Sequence, residues 1–396
     1  MQALKGLTVV TLEHAIAAPF ATRQLADLGA RVIKIERPGV GDFARGYDAR
    51  VRGLASHFVW TNRSKESLTL DVKHPEAAQL LERLVLEKAD VVVQNLAPGA
   101  AARLGLGYER LSALKPSLIV CDISGYGADG PYRDKKAYDL LIQSEAGFVS
   151  VTGTADEPCK AGPSIADIAA GMYAYSNILA ALLERAQTGK GRHIDISMLE
   201  SLTEWTSYPL YYAFEGAPPP PRTGAAHATI YPYGPFPTGD GGSVMLGLQN
   251  EREWVNFCEK VLQQPGLAQD PRFTGNAKRV AARAELRDII VSAFAALTAP
   301  QVVERLEMAQ IANARVNTMQ EVWDHPQLKA RGRWREVETP AGTIPALLPP
   351  GSWPTDPREG PRMDPVPALG QHTHAILAEL GVDAEGLRAL QRAEAI

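Results

Sequence analysis

The chain has 396 residues, 45% hydrophobic and 22% charged, enough for one large core and a second smaller one. Its formal net charge of -4 excludes a global basic field of the kind that holds nucleic acid or an anionic membrane surface, so any anion site must be local. Three cysteines, Cys121, Cys159 and Cys258, and eight scattered histidines show neither a disulfide framework nor metal-ligand spacing, and no metal is expected. No basic segment followed by an apolar run opens the chain, and no apolar run reads as long enough to span a bilayer. The expected location is the cytoplasm, with no membrane partner.

Residues Leu7 to Leu12 read as a buried strand, Phe20 to Leu28 as a helix closed by Gly29, and Arg31 to Glu36 as a second strand, which makes a βαβ unit. Glu36 lies where a dinucleotide fold keeps its ribose-binding acid. The first turn, His14-Ala15-Ile16-Ala17-Ala18-Pro19, has no G-x-G-x-x-G and therefore no glycine-lined approach for a pyrophosphate, which argues against a nicotinamide cofactor. After a Gly/Asp/Arg-rich loop from Pro38 to Gly53, the alternation continues. Ser67 to Asp71 reads as a strand, Pro75 to Glu87 as a helix, Asp90 to Gln94 as a strand, and Leu118 to Ile123 as another. Such alternation predicts an α/β fold with a doubly wound, mostly parallel, Rossmann-like sheet. Its ligand crevice would lie beyond the strand ends that carry His14, Glu36, Asn95 and Ser124-Gly125.

A long apolar helix is predicted from about Gly162 to Arg185, with Asp167 as its only charge before Glu184. Ser164 and Asp167 have the S-x-x-D spacing of a capping box, in which serine accepts from first-turn amides and the acid reaches back. The small neighbours Gly162, Ala166, Ala169, Ala170 and Gly171 also leave room for a thioester to approach the carboxylate. Both roles are compatible. A strand from Arg192 to Met198 follows, and helical sequence runs to about Glu215. The predicted domains are 1–215, a large Rossmann-like α/β domain; 216–222, a proline-rich linker; 223–331, a smaller α+β domain; and 332–396, a segment returning to the large domain. Within the small domain a strand is predicted at Ser243 to Leu248, with helices near Trp254 to Val261, Ala284 to Leu297 and Pro300 to Met308. A last helix is predicted near Thr373 to Leu380.

Several segments, in order, carry a resemblance. They are Leu28-Gly29-Ala30-x-Val32-Ile33-Lys34-Ile35-Glu36-Arg37-Pro38 with Gly41-Asp42, then Asn62-x-x-Lys65, Leu70-Asp71-x-Lys73, and Ala89-Asp90-Val91-Val92-Val93-x-Asn95. Pro98-Gly99, Arg103-Leu104-Gly105, Gly125-Tyr126-Gly127, Gly130-Pro131 and Ala137-Tyr138-Asp139 follow. The chain resembles the class III CoA-transferases, the family of formyl-CoA and carnitine CoA-transferases that also contains racemase relatives. Asp167 aligns with the family's catalytic aspartate. The resemblance implies that this carboxylate attacks a donor thioester and passes through an aspartyl anhydride and an aspartyl-CoA thioester, with no permanently bound cofactor and with coenzyme A thioesters and small carboxylic acids as substrates. It also implies an interlocked homodimer.

The same resemblance implies that Arg37, Lys73, Arg103 and Lys136, with Ala15, Leu70, Asn95 and Leu96, contact CoA. An acidic chain needs such local cations for the 3′-phosphate and pyrophosphate. Formyl-CoA transferases have glutamine at the position of Ile16 and a glycine-rich loop where this chain has Gly224 to Tyr233, which turns the expectation away from formate and oxalate. Racemase relatives carry histidine at the position of Tyr138, so a racemase would here lack half of its acid/base pair. The loops look most like those of members acting on succinate, itaconate, mesaconate or citramalate, including intramolecular transfer of the mesaconyl-CoA C1–C4 type. His14, Arg45, Arg50, Arg52, His57, Arg63 and His227 are candidate cations for a second carboxylate. A racemase-like isomerase, or a formyl-CoA or carnitine-type transferase, is the alternative.

Overall fold

The computed structural model describes residues 2–351 and 360–396, so residue 1 and residues 352–359 of the expected C-terminal segment lie outside the described residues. Six strands form one sheet: β1 (Thr8–Leu12), β2 (Arg31–Glu36), β3 (Lys65–Thr69), β4 (Val91–Gln94), β5 (Ile119–Ser124) and β6 (His193–Ser197), in the order β3-β2-β1-β4-β5-β6. Every pairing is parallel. The chain order therefore reverses between β1 and β4, and a crevice opens beyond the carboxyl ends of those two strands.

Because side chains alternate along a strand, Val10, Leu12, Ile33 and Ile35 share one face of the sheet. There they pack against Leu81, Leu84 and Val85 of helix α2 (Pro75–Lys88) and against the C-terminal Ile376 and Leu377. The opposite register puts Thr11 and Lys34 on the face covered by helix α1 (Ala17–Asp27). These polar groups are fully buried there, so this face is held by charge as well as by hydrocarbon. Lys34 reaches Asp42 at 2.7 Å and Glu13 at 3.4 Å, and Lys65 reaches Glu13 at 2.6 Å, Pro19 O at 3.0 Å and Asn62 at 3.2 Å. Glu13 also accepts from the Thr11 and Thr22 hydroxyls at 2.9 and 2.6 Å. Burial pushes the Glu13 carboxyl up, but Lys65 and Lys34 outweigh it and hold the group below its usual range.

By contacts the chain forms two compact units, residues 1–147 with 161–206 and 327–396, and residues 148–160 with 207–326. These cuts differ from the sequence boundaries: the proline run at 218–221 lies inside the second unit, and residues 148–160 join that unit too. The second unit holds an antiparallel sheet, β7 (Tyr233–Pro237), β8 (Ser243–Gly247) and β9 (Ala312–Arg315), around a core with Phe236, Trp254, Phe257, Phe273 and Phe294. In the first unit, β10 (Trp334–Val337) and β11 (Ile344–Leu347) form a hairpin.

Several elements differ from expectation. Strand β3 begins at Lys65 rather than Ser67, because Lys65 and Ser67 point into the buried polar cluster and look loop-like in sequence. Helix α1 starts three residues early, since Pro19 in the first turn needs no N–H there. A helix at Ala384–Arg392, capped by Asp383, was not expected, because Leu390 is its one fully buried side chain. The long helix Ile165–Thr188 corrects the expectation about apolar runs, since its length and hydropathy suffice to cross a membrane. Its buried stripe of Ala166, Ala169, Ala170, Gly171, Ala174, Ile178 and Ala181 packs within the first unit instead.

Removing one member of a buried charge cluster strands its partners without water. Lys34→Met should therefore lower stability by about 3–5 kcal/mol, read as a fall in the urea unfolding midpoint at pH 7.

Candidate active site

The loop leaving β1 is clamped from two sides. Asn95, at the end of β4, accepts from the His14 amide and donates to the His14 carbonyl, both at 2.9 Å, bridging the two strands that flank the crevice. Asp42 Oδ1 accepts from the Ala15 amide at 3.1 Å. Ala15 is held at φ 61°, a left-handed conformation costly for a residue with a Cβ, so these contacts keep the loop in place. Asp42 is pushed up by burial, yet Lys34 and the Ala44 amide hold it far below the usual carboxylate range. It remains an anion that can accept from the loop.

Helix α3 (Asp139–Glu145) and helix α4 (Ile165–Thr188) build the other wall. The expected capping box does not form. Ser164 has φ -74° and ψ 74°, and its side chain makes no cap hydrogen bond. Asp139 takes that place from 28 residues before Asp167: its Oδ1 accepts from the Ala166 amide at 2.8 Å and the Asp167 amide at 3.4 Å. Its Oδ2 accepts from the buried Gln143, whose own Oε1 accepts from Ala161 N at 2.9 Å. Asp167 is thereby released from capping, and its carboxylate faces the start of α1. One turn further on, a Cβ on Gly171 would stand 2.7 Å from Ala17 O, so the glycine is what lets the two helices touch beside the carboxylate.

Burial, and after it the negative charge of Asp139, push the Asp167 carboxyl up to about 7, against a hydrogen bond from the Ala17 amide that pulls it down. Tyr47 stands near enough to feel that charge. Burial raises its hydroxyl to about 12, with Asp42, Asp167 and Tyr138 adding to the shift. The site thus combines a partly exposed carboxylate, an opposing helix start, and a neighbour of like charge. Asp139 was missed in sequence as a functional residue because its partner amides lie in a different helix.

The residues expected at CoA are distributed around the strand ends. Arg37 and Lys73 are exposed just beyond β2 and β3, while Leu70 is buried and offers only its backbone to a ligand. Leu96 and Arg103 line a cavity of about 410 Å³ beyond β4 and β5, together with Pro98, Ser124 and Arg133. Arg133 has no counterpart among the expected contacts. Lys136 is exposed and lies three residues beyond it.

The candidates for the acyl group fare differently. Arg45 is bound by two nitrogens to Glu36, at 2.8 and 2.7 Å, and lies 3.7 Å over the Phe58 ring, so it is not a free cation. Arg63 is likewise bidentate to Asp27, at 2.9 and 2.7 Å. Ile16 is buried before the first turn of α1, and Tyr138 is exposed before α3. His227 belongs to the second unit, where its ring stacks on Tyr233 and its Nδ1 accepts from the Thr229 and Ile230 amides. His14 lies in the loop after β1 and His57 in the first turn of the helix Ser56–Asn62, and Arg50 and Arg52 are exposed. Glu36, which could have read a ribose, instead faces inward to Arg45, the Ser67 hydroxyl and the Asp42 amide.

The parallel sheet reverses between β1 and β4, and the small-residue helix α4 brings the Asp167 carboxylate to the start of α1. The chain belongs to CoA-transferase family III, whose profile matches residues 4–373. It is 37% identical to the succinate–glutarate CoA-transferase of Agrobacterium fabrum over 387 residues, covering 95% of each chain. It is 34% identical to the succinyl-CoA:glutarate CoA-transferase of Mus musculus, covering 96% of this chain and 86% of that one. Among solved structures, a CAIB/BAIF family protein from Brucella suis superposes with a TM-score of 0.82 at 36% identity, covering 96% of this chain and 99% of that one.

The raised Asp167 carboxyl has a consequence for stability. The folded chain keeps this proton up to about 7, whereas an unfolded aspartate loses it near pH 4, so between those values the native state binds more protons and stability falls as pH rises. Asp167→Asn removes the effect. Its unfolding midpoint should gain on wild type from pH 4 to pH 8, by about 1–2 kcal/mol given the partial solvation of the carboxylate. A difference independent of pH would contradict the assigned environment.

Proposed function

We propose that this chain is a CoA-transferase acting between small dicarboxylic acids, with Asp167 as the covalent nucleophile. The observation that carries the reading is the setting of Asp167: a carboxylate released from capping by Asp139, faced by the α1 amides, and open to the crevice. The dicarboxylate class is supported by the relatives named for succinate and glutarate.

In the first step the Asp167 carboxylate attacks the donor thioester carbonyl, forming a mixed anhydride and expelling CoA thiolate. The thiolate then attacks the Asp167 carbonyl of the anhydride, which releases the donor acid and leaves an aspartyl-CoA thioester. The acceptor carboxylate attacks that thioester, forming a second anhydride and freeing thiolate again. Thiolate finally attacks the acceptor's acyl carbonyl, yielding the new acyl-CoA and regenerating Asp167. No proton is gained or lost over the cycle.

Each tetrahedral intermediate carries an oxyanion, and the Ala17 amide, which donates to Asp167 in the resting chain, is the donor proposed for it. A carboxylate is a weak nucleophile, and raising its pKa makes it stronger once ionised. Acylation also removes the charge that burial and Asp139 oppose, so the ground-state penalty is relieved as the anhydride forms.

For CoA itself, Arg37, Lys73, Arg103 and Lys136 are proposed to meet the phosphates, with the backbone near Ala15, Leu70, Asn95 and Leu96 along the pantetheine. We also propose a homodimer. In the second unit Tyr208, Leu210, Tyr211 and Phe214 are all exposed, more apolar surface than a monomer usually leaves to water. Sedimentation at micromolar protein should give twice the chain mass.

Three measurements test the mechanism. Asp167→Asn should fold and bind CoA but lose essentially all transfer, and hydroxylamine added during turnover should mark Asp167 and no other carboxylate. Residual activity above a few per cent in that variant would sink the nucleophile. In wild type the acid limb of kcat/KM should fall near about 7, and Asp139→Asn, which keeps an oxygen for the Ala166 amide while removing the like charge, should shift that limb towards the ordinary carboxylate range. Arg103→Ala should weaken CoA more than pantetheine, by about 1–3 kcal/mol.

A further inference from the structure

Phe43 and Tyr47, which follow Asp42 in its loop, join a row of rings that spans three segments of the chain. His14 stacks on Phe43 with centroids 5.1 Å apart and planes 15° apart, Phe43 meets Tyr47 at 5.8 Å, and Tyr47 meets His57 edge-on at 5.4 Å. Phe43 and Tyr47 are 53% and 47% exposed, so both rings offer apolar surface to a ligand. An imidazole stands at each end of the pair. The row lies beside the nucleophile, because His14 precedes by three residues the Ala17 that abuts α4 at Gly171.

The two imidazoles are oriented alike. Nδ1 of His14 is 3.8 Å from Asp42 Oδ1, and Nδ1 of His57 is 3.7 Å from Asp48 Oδ2. Both distances exceed a hydrogen bond, and both Nδ1 atoms are buried without a partner. With Nδ1 of each ring turned to a carboxylate, Nε2 on the opposite edge is the nitrogen left to meet an incoming carboxylate. Neither backing acid is left bare to repel that anion. Asp42 is paired with Lys34 at 2.7 Å, and Asp48 accepts from the Ser56 hydroxyl and from the Arg50 and Ser56 amides at 2.6, 2.9 and 3.0 Å. Of the four candidate arginines, Arg45 and Arg63 are each closed by a bidentate carboxylate, Arg52 reaches towards Gly342, and Arg50 is exposed.

We infer that His14 and His57 receive the far carboxylate of the acyl group, with the Phe43 and Tyr47 rings walling its methylene chain, so that imidazoles rather than arginines select dicarboxylates here. This inference rests on the CoA-transferase reading and deepens it to the acyl pocket. The acid end that exchanges CoA lies at Asp167, and the end that remains free lies along the ring row. Apolar walls with a few polar groups are the usual construction of a small-molecule pocket.

The test compares glutarate with pentanoate, which share chain length and differ by the far carboxylate. Inhibition constants are measured against succinyl-CoA as donor for the wild-type full chain and for His14→Gln, His14→Phe, His57→Gln and His57→Phe, with thermal midpoints to verify folding. The phenylalanine variants should raise the glutarate constant at least tenfold and change that of pentanoate less than threefold, while glutamine, which keeps a donor, restores part of the preference. Equal losses for both acids, or an unchanged glutarate preference in folded variants, would overturn the inference. Wild type that binds CoA yet transfers it to no dicarboxylate would overturn the functional reading instead, so the two failures are distinct.

Discussion

The active-site side of this molecule depends on a water-excluded cluster of opposite charges. Glu13, Glu36 and Asp42 meet Lys34, Lys65 and Arg45 between the sheet and α1, three acids against three bases, with burial pulling Lys65 down to about 7. Ion pairs in such places gain little net stability over hydrocarbon, but their members depend on one another strongly, since any one left alone would keep an uncompensated charge. That dependence is geometrically useful. The cluster ties three adjacent strands, the loop after β1 and the loop after β2 into one arrangement, and Asp42 is the member that passes it on to the site.

From Asp42 the constraint runs to Ala15, whose left-handed backbone is tolerable only because its amide is held, and from there to the first turn of α1. The small residues of α4 let that turn approach Asp167 closely. At the same point Asp139 takes over the capping that a local serine would otherwise supply, which leaves Asp167 to accept from the Ala17 amide of α1. A like-charge neighbour and partial burial then act in the same direction, favouring any step that removes the charge from Asp167. Capping, packing and reactivity are in this way properties of one short stretch of helix.

The sheet order is that of dinucleotide-binding folds, yet the chemistry at its switch point is different. Where those folds use glycines to bring the backbone to a pyrophosphate, this chain has Ala15 and the bulk of His14 and Ile16, and the acid that would read a ribose is turned inward to Arg45 and Ser67. What stands at the switch point is a side-chain carboxylate, Asp167, in place of a glycine-lined backbone. Fold and activity are separable here, and it is the residues at the strand ends that distinguish them.

The sequence by itself determined the alternating α/β plan, the strand ends at which ligands gather, and Asp167 as the exceptional charge in an apolar helix. Hydrophobic periodicity is local, and a lone carboxylate among alanines and glycines is visible without a structure. It could not determine which polar residues serve the site and which serve the fold. Arg45 and Arg63 look like His14 and His57 in a loop of cations, and only the tertiary structure shows the first two closed by Glu36 and Asp27. Lys65 reads as loop until its register with Val32 turns it inward to Glu13. The S-x-x-D spacing of Ser164 and Asp167 implies a cap that the fold instead draws from Asp139, because a hydrogen-bond partner is chosen by distance in space, and an oxygen from a neighbouring helix reaches the free amides with better geometry than the local serine.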